Sequence, residues 1–220
     1  MKKIIIVGSG FHAKVITDEI IRAKKYKILG YIDPFKKKGN PIKPFYDKLE
    51  MLGGFEYFNK KIDFEAIIAI GSNHKRLAVY KKIIKVKKNI KWAKIISKDA
   101  IVSKNLEIGE GSMIISGSIL NIDSKIGNHC LINTGSIIDH DSYFDDFSGT
   151  GPGVRVGGNV KIGKVSFLGM GSNIKHNITI EKNVVIGSNS FVNKNCLKNA
   201  TYFGSPAKKH SSRTINQKYL

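Results

Sequence analysis

The chain of 220 residues holds only two cysteines, Cys130 and Cys196, with no Cys-x-x-Cys spacing. Two thiols are too few for a disulfide framework and suit a reducing cytoplasm. No apolar run approaches the roughly 18 residues that a spanning helix needs, so membrane insertion is not expected. The opening MKKIIIVGSG has a basic start, but glycines end its apolar run after Val7. That pattern describes a buried strand rather than a secretory signal. Acidic residues are scarce: 17 Asp and Glu stand against 37 Lys and Arg, a net charge of +20. The excess fits either a lysine-rich proteome or polyanionic ligands. Lysines such as Lys36 to Lys38 and Lys87-Lys88 are scattered rather than gathered with aromatics on one stripe, so nucleic-acid binding is not expected. What remains, 41% apolar and 25% charged residues, describes an ordinary globular chain long enough to bury a core without disulfides or metals.

The first half alternates strands and helices. Lys3 to Val7 is a β-branched run; a glycine turn follows, then Ala13 to Ala23 with helical spacing of Val15, Ile16, Ile20 and Ile21. Ile28 to Ile32 and Glu65 to Ile70 read as further buried strands, Lys75 to Lys87 as a basic amphipathic helix, and Pro34 to Pro44 as a loop. The order predicts a small parallel α/β sheet over residues 1–90.

Beyond residue 100 a period of six persists without insertion. Sixteen hexads run from Val102 to Leu197, and fifteen of their first positions are apolar, against about 6.6 expected for sixteen positions at 41%. The fifth position is Ser, Cys or Val in fourteen of the sixteen, and glycine follows an apolar first residue in six. Such a repeat predicts a parallel β-helix with three hexads per triangular coil, each coil burying its apolar row against the next. The large first residue fills the prism, the small fifth one fits near the corner, and the glycine is expected to supply a positive φ. Cys130 and Cys196 share the small inward position but lie 66 residues apart, not a multiple of 18, so they are packing residues on different faces. His140, Gly158 and His176, at intervals of 18, fall in one outward column along a corner.

Two segments carry chemistry. Gly8-Ser9-Gly10-Phe11-His12-Ala13 follows a strand and opens a helix, where glycines let backbone N–H groups approach a phosphate. Asp33 ends the second strand, where a carboxylate can meet a ribose hydroxyl. An NAD enzyme shows the same pattern, and the turn alone indicates a nucleotide phosphate and nothing finer. The second segment is NTGSIIDHD, residues 133–141. An outward imidazole beside a carboxylate is either a general base or a solvated turn histidine.

The array with NTGSIIDHD, preceded by GSGFHAKV and ended by FGSPAK, resembles the bacterial sugar O/N-acyltransferases of the sialic acid O-acetyltransferase family. Within it, the chain most resembles the nucleotide-aminosugar N-acetyltransferases of the bacillosamine pathway. The resemblance implies a homotrimer of left-handed β-helices over residues 91–208, with a C-terminal tail at 209–220. It also implies acetyl-CoA between neighbouring helices, a nucleotide-linked sugar on the N-terminal domain, and no metal. It casts His140 as catalytic base, Asp141 as its acidic neighbour, usually Glu in relatives, and Asn133 near the reacting sugar group. Gly8, Ser9, Gly10 and His12 would meet the phosphates and sugar, Asp33 the nucleoside, and Gly71, Ser72 and Asn73 the next strand end. Gly158 would offer its N–H to the thioester carbonyl and leave room for pantetheine, with Met170, Gly187 and Ser188 also at the cofactor. Gly149 stands where relatives commonly have histidine, and the basic excursion at 36–61 is expected to reshape the sugar pocket. The expected activity is direct acetyl transfer to the amine of a 4-amino-4,6-dideoxysugar. Sugar O-acetylation and a non-catalytic nucleotide-binding scaffold are the alternatives.

Overall fold

The computed structural model describes residues 1–36, 39 and 49–219. Most of the Pro34–Pro44 loop, and most of the basic excursion up to residue 48, lie outside the described residues. The N-terminal domain is a parallel sheet of β1 (Lys2–Val7), β2 (Tyr26–Ile32), β3 (Met51–Gly53), β4 (Glu65–Ile68) and β5 (Lys91–Trp92), in the order β3-β2-β1-β4-β5. Helix α1 (Phe11–Ala23) joins β1 to β2, and α2 (Asn73–Val86) joins β4 to β5. The unbroken apolar strands Ile4–Val7 and Ala66–Ile68 are buried because helices cover both faces of a parallel sheet. One core forms between the sheet, α1 and the second domain, including Ile4, Ile16, Ile67 and Leu131; another lies on the α2 side, including Ile5, Phe58, Ile68 and Ile83.

The second domain is a left-handed parallel β-helix of hexapeptide coils. It begins one hexad before Val102, at Ile95–Ile96, which pairs with Met113–Ile114. Successive rungs up to Phe191–Val192 pair at intervals of 18 residues, as Ile101–Val102 does with Ile119–Leu120 and Lys125–Ile126 with Tyr143–Phe144. Glu107–Ile108 stacks on Lys125–Ile126 in the same way, and the Glu107 carboxylate ion-pairs with the Lys125 ammonium one coil away. The first-position row, from Ile108 through Phe144 to Val192, fills the prism as one continuous core. The fifth-position serines are buried beside it, and most bond between coils, whereas the Ser172 Oγ has no partner among the described residues. Ser124 Oγ donates to the Asp139 carbonyl at 2.7 Å and Ser142 Oγ to that of Gly157 at 3.1 Å, while Ser142 Oγ accepts from the Val160 N–H. A hydroxyl with both partners can be buried cheaply, which is why this position tolerates serine. Cys130 and Cys196 are free and buried in the same position. Burial pushes their thiols up to about 11 and about 12, so they stay protonated and inert.

The expected role of the second-position glycines needs correction. Positive φ falls at the fourth position in fifteen of the sixteen hexads, including Asn105, Asp141, Phe147 and Val165. Gly109, Gly127, Gly157, Gly163, Gly169 and Gly187 do not have it. They are small for another reason: a Cβ on Gly109 would stand 2.4 Å from the Gly127 carbonyl carbon, and one on Gly169 2.6 Å from the Ile186 oxygen. Close stacking of successive corners, rather than backbone handedness, demands glycine there.

The three outer faces of the prism differ sharply. Face 1, with Ile95, Met113, Leu131, Phe167 and Val185 pointing outward, is buried. The N-terminal domain covers its upper part, where Ile95, Met113 and Leu131 join the sheet core. Face 3 presents Glu107, Lys125, Tyr143, Lys161 and Thr179 and is exposed, as its polarity requires. Face 2 presents Ile101, Ile119, Ile137, Arg155, Asn173 and Phe191; Ile101 is 67% exposed and Phe191 39%. The final strands, Ala200–Gly204 and Ala207–Ser212, form an antiparallel hairpin against the last rung of face 1. The segment expected as a tail therefore begins inside a strand. Its end folds back onto the N-terminal domain, where the Asn73 N–H donates to Tyr219 Oη at 2.7 Å.

Candidate active site

The turn after β1 is open to a ligand. Gly8 has φ +94°, and no atom lies within 4 Å of where a Gly10 Cβ would be. Gly10 caps α1 without a side-chain bond, leaving first-turn N–H groups directed outward. Gly8, Ser9, Gly10 and Asp33 line one cavity of 170 Å³, together with Phe35, Ile70 and Lys82. Ser9 Oγ donates to Asp33 Oδ2 at 2.7 Å and the Phe35 N–H to Oδ1 at 3.1 Å, which fixes the carboxylate at the rim.

His12 lies beneath Gly71, where a Cβ on Gly71 would stand 3.7 Å from the ring. Burial, with Arg76 adding to it, depresses the His12 imidazole to about 4, so it is neutral near pH 7, and its Nε2 has no partner among the described residues. Ser72 caps α2 by position, and its Oγ lies 3.1 Å from His74 Nδ1. Asn73 is fully buried: its Nδ2 donates to the Ser166 carbonyl at 2.8 Å and its Oδ1 accepts from Arg76 at 2.7 Å. Its side chain is thus occupied in joining the domains. Gly149 has the same explanation, since a Cβ there would meet Leu131 O at 2.9 Å and Asn73 Oδ1 at 3.1 Å. A histidine at this position, which the resemblance implies, has no space beside Asn73.

A second cavity of 230 Å³ runs along the corner between faces 1 and 2. It brings Asn133, Met170, Gly187 and Ser188 together with Gly71 and Tyr219. Ile70 and Gly71 are adjacent in the chain yet line different cavities, so a ligand spanning both must cross their turn.

His140 stands elsewhere, on the corner between faces 2 and 3. The strand Ile137–Ile138 of face 2 separates it from Asn133, so one chain does not bring these two residues together. The ring is exposed, and its Nδ1 lies 2.7 Å from Asp141 Oδ2. Asp141 reaches it because its φ of 57° turns the chain back at this corner. The bond from Asp141, helped by the charge of Asp139, raises the His140 pKa above its usual value. Asp139 is itself fixed by Asn121 Nδ2 at 2.9 Å and by the His140 N–H at 2.9 Å. With Nδ1–H directed at the carboxylate, Nε2 is the free acceptor.

Gly158 lies in the next coil against this ring: a Cβ there would stand 2.6 Å from His140 Cε1. The room that glycine leaves, expected for pantetheine, is filled by the imidazole. At several other third positions the preceding side chain takes the N–H, as Asn133 takes that of Thr134 and Asp145 that of Asp146. Gly157 has no side chain to do so. The Gly158 N–H consequently has no internal acceptor among the described residues. Gly158→Ala is expected to swing the exposed His140 ring aside, lowering kcat at least tenfold while the melting temperature stays within about 3 °C. Steady-state rates and a thermal melt on the same variant check both halves.

Sequence reasoning missed Arg76 and Tyr219. Arg76 stood in a run of basic helix residues, and Tyr219 in the tail; neither carries a local signal. Among the described residues, no group of three or more His, Cys, Asp or Glu side chains could hold a metal. No helix there is long and apolar enough to cross a membrane.

Comparison with known proteins agrees with this architecture. The PglD N-terminal domain family matches residues 3–83, and the bacterial transferase hexapeptide repeat matches residues 159–194. No curated protein sequence matches. Among solved structures, the acetyltransferase domain of PglB from Neisseria gonorrhoeae superposes with a TM-score of 0.84 at 23% identity, covering 96% of this chain and 100% of that one. A mutant of perosamine N-acetyltransferase from Caulobacter crescentus, solved with CoA and GDP-perosamine, gives 0.87 at 24% identity, covering 96% and 98%. WeeI from Acinetobacter baumannii gives 0.79 at 22% identity, covering 96% and 100%. The chain therefore has the architecture of the hexapeptide-repeat sugar acetyltransferases, a PglD-type N-terminal domain followed by a left-handed β-helix.

Proposed function

We propose that the protein transfers an acetyl group from acetyl-CoA to the amino group of a nucleotide-linked 4-amino-4,6-dideoxysugar, in clefts between the subunits of a homotrimer. The observation that carries this reading is face 2. Among the described residues it is the one face of the prism whose outward apolar row is left without cover, with His140 on one edge and the Asn133–Met170–Gly187–Ser188 cleft on the other. An outward apolar row of this kind, with Ile101 exposed and Ile119 and Ile137 half-buried, marks an association surface. When such faces surround a rotation axis, one edge of each meets the opposite edge of its neighbour. His140 of one subunit then faces the cleft of the next.

The chemistry follows from that placement. The nucleotide sugar binds by its phosphates at the open turn of Gly8, Ser9 and Gly10, with Asp33 at the ribose, and extends across Gly71 into the cleft. His140 Nε2 takes the proton of the attacking amine; Asp141 holds the tautomer and stabilises the imidazolium. The Gly158 N–H stabilises the oxyanion that forms as the amine adds to the thioester carbonyl. Collapse of that intermediate expels the CoA thiolate, which takes up a proton. The perosamine N-acetyltransferase solved with CoA and GDP-perosamine has this fold over nearly its whole length, which supports an amine acceptor over a sugar hydroxyl.

The test is release of CoA thiol from acetyl-CoA with UDP-, dTDP- and GDP-linked 4-amino sugars and with free and CMP-activated sialic acid. Release with an aminosugar nucleotide, from a species of three times 24.4 kDa by sedimentation, is the expected result. Release with sialic acid alone overturns the N-acetyl reading. The pH dependence has a fixed sign. A base must be neutral, and the Asp141 bond raises the His140 pKa from its ordinary 6.5. The acidic limb of kcat/KM is therefore expected above that value and should move to lower pH in Asp141→Asn, with a lower plateau. An unmoved limb would separate Asp141 from the base.

A further inference from the structure

The C-terminal segment touches the proposed cleft at one residue. Tyr219 lines the cavity that holds Asn133, Gly187 and Gly71, and it enters from a part of the chain with no repeat and no glycine turn. Its hydroxyl accepts the Asn73 N–H, a first-turn donor of α2 that would otherwise be open. Its ring packs 4.7 Å from that of Phe167 on the β-helix and 5.6 Å from that of His74 on α2. Arg213 lies 5.1 Å over the ring and anchors the segment, donating to the Gln217 carbonyl at 2.7 Å. Burial raises the phenol's pKa, so the hydroxyl stays protonated and can accept one bond while donating another.

We propose that Tyr219 is a positioning residue for the sugar acceptor: it clasps the Gly71–Asn73 turn to face 1 and so sets how the turn presents the sugar to the cleft. The inference rests on the acetyltransferase reading above. It assigns Tyr219 no contact with reacting atoms. Its action runs through Asn73 on one side and Phe167 on the other. Because Ile70 and Gly71 divide the nucleotide cavity from the cleft, a turn released from Tyr219 would misalign the acceptor, whereas the corner turns that carry Met170, Gly187 and Ser188 are held by backbone bonds within the β-helix domain, such as Asn189 N–H to the Met170 carbonyl and Gly187 N–H to that of Tyr202, in which Tyr219 takes no part.

The experiment compares wild type, Tyr219→Phe, Tyr219→Ala and a chain ending at Ser212 in the CoA-release assay, with each substrate varied at saturating concentrations of the other. Tyr219→Phe, which loses only the hydroxyl, should raise the acceptor KM about three- to tenfold. Tyr219→Ala and the shortened chain should raise it more than tenfold, while the KM for acetyl-CoA stays within twofold. A merely structural clasp would move both KM values together and lower the melting temperature in step, and that result overturns the proposal. So does an unchanged acceptor KM in Tyr219→Ala. If wild type turns over no acceptor, equilibrium dialysis of the nucleotide sugars decides: binding weakened in Tyr219→Ala upholds the clasp while the transfer reading fails, and equal or absent binding overturns it.

Discussion

Replacing His140 by alanine is expected to lower kcat by roughly 10²- to 10⁴-fold, the range that a positioned general base contributes. The imidazole has no structural task that alanine would disrupt: it is exposed, and among the described residues its ring bonds only to the neighbouring Asp141. Folding and the mass of the native assembly should therefore be unchanged. Acetyl-CoA affinity should also hold, because Met170, Gly187 and Ser188 lie on the opposite corner of face 2 and Gly158, beside the ring, would meet the thioester through its backbone N–H, which the substitution leaves in place. The loss should appear in kcat and kcat/KM alike, as for an interaction made in the transition state. Steady-state CoA release, with acetyl-CoA binding measured by calorimetry, checks this. Retention of more than a third of the activity would remove His140 from the role of base.

The β-helix was legible because its contacts repeat. Each hexad carries the same instruction, a large residue at the first position and a small one at the fifth, and each coil meets only its neighbours. The column of His140 and Gly158 followed from the period of 18 alone. The fourth-position handedness was not legible, since Phe147 and Val165 adopt φ of 57° and 64° at positions where residue preference argues against it. There the coil geometry overrides local propensity. The division of the site was equally hidden. His140 and Asn133 are close in the chain yet stand at opposite edges of face 2, because the strand Ile137–Ile138 lies between them. Arg76 and Tyr219 were hidden for a different reason. Their partners lie on another domain, and one arginine among 37 cations has no local mark of burial.

Arg76→Met should destabilise the protein by about 2–4 kcal/mol, the cost of leaving several buried acceptors without donors. Arg76 is fully buried, and its hydrogen bonds run to backbone carbonyls and one side-chain amide rather than to a carboxylate. Its Nε donates to His129 O at 2.7 Å; its terminal nitrogens reach Ile70 O at 2.8 Å, Gly71 O at 3.1 Å and Asn73 Oδ1 at 2.7 Å. Longer bonds run to Phe147 O at 3.4 Å and Ser148 O at 3.3 Å. The guanidinium thus ties the turn after β4 to two successive coils of the β-helix. Burial lowers its pKa, but a guanidinium remains charged, and the ring of carbonyl dipoles is what compensates it. For a chain of this size the loss corresponds to a melting temperature lower by about 5–15 °C. Arg76→Lys should not rescue it, because one ammonium cannot reach acceptors that a planar fork spans. Calorimetry should also resolve two transitions in place of one, as the N-terminal domain releases before the β-helix melts. A single transition within about 2 °C of wild type, less than half the smallest shift expected, would show that the acceptors find water instead. The two domains would then be held together by the apolar contact of Leu131 and Met113 with the N-terminal core.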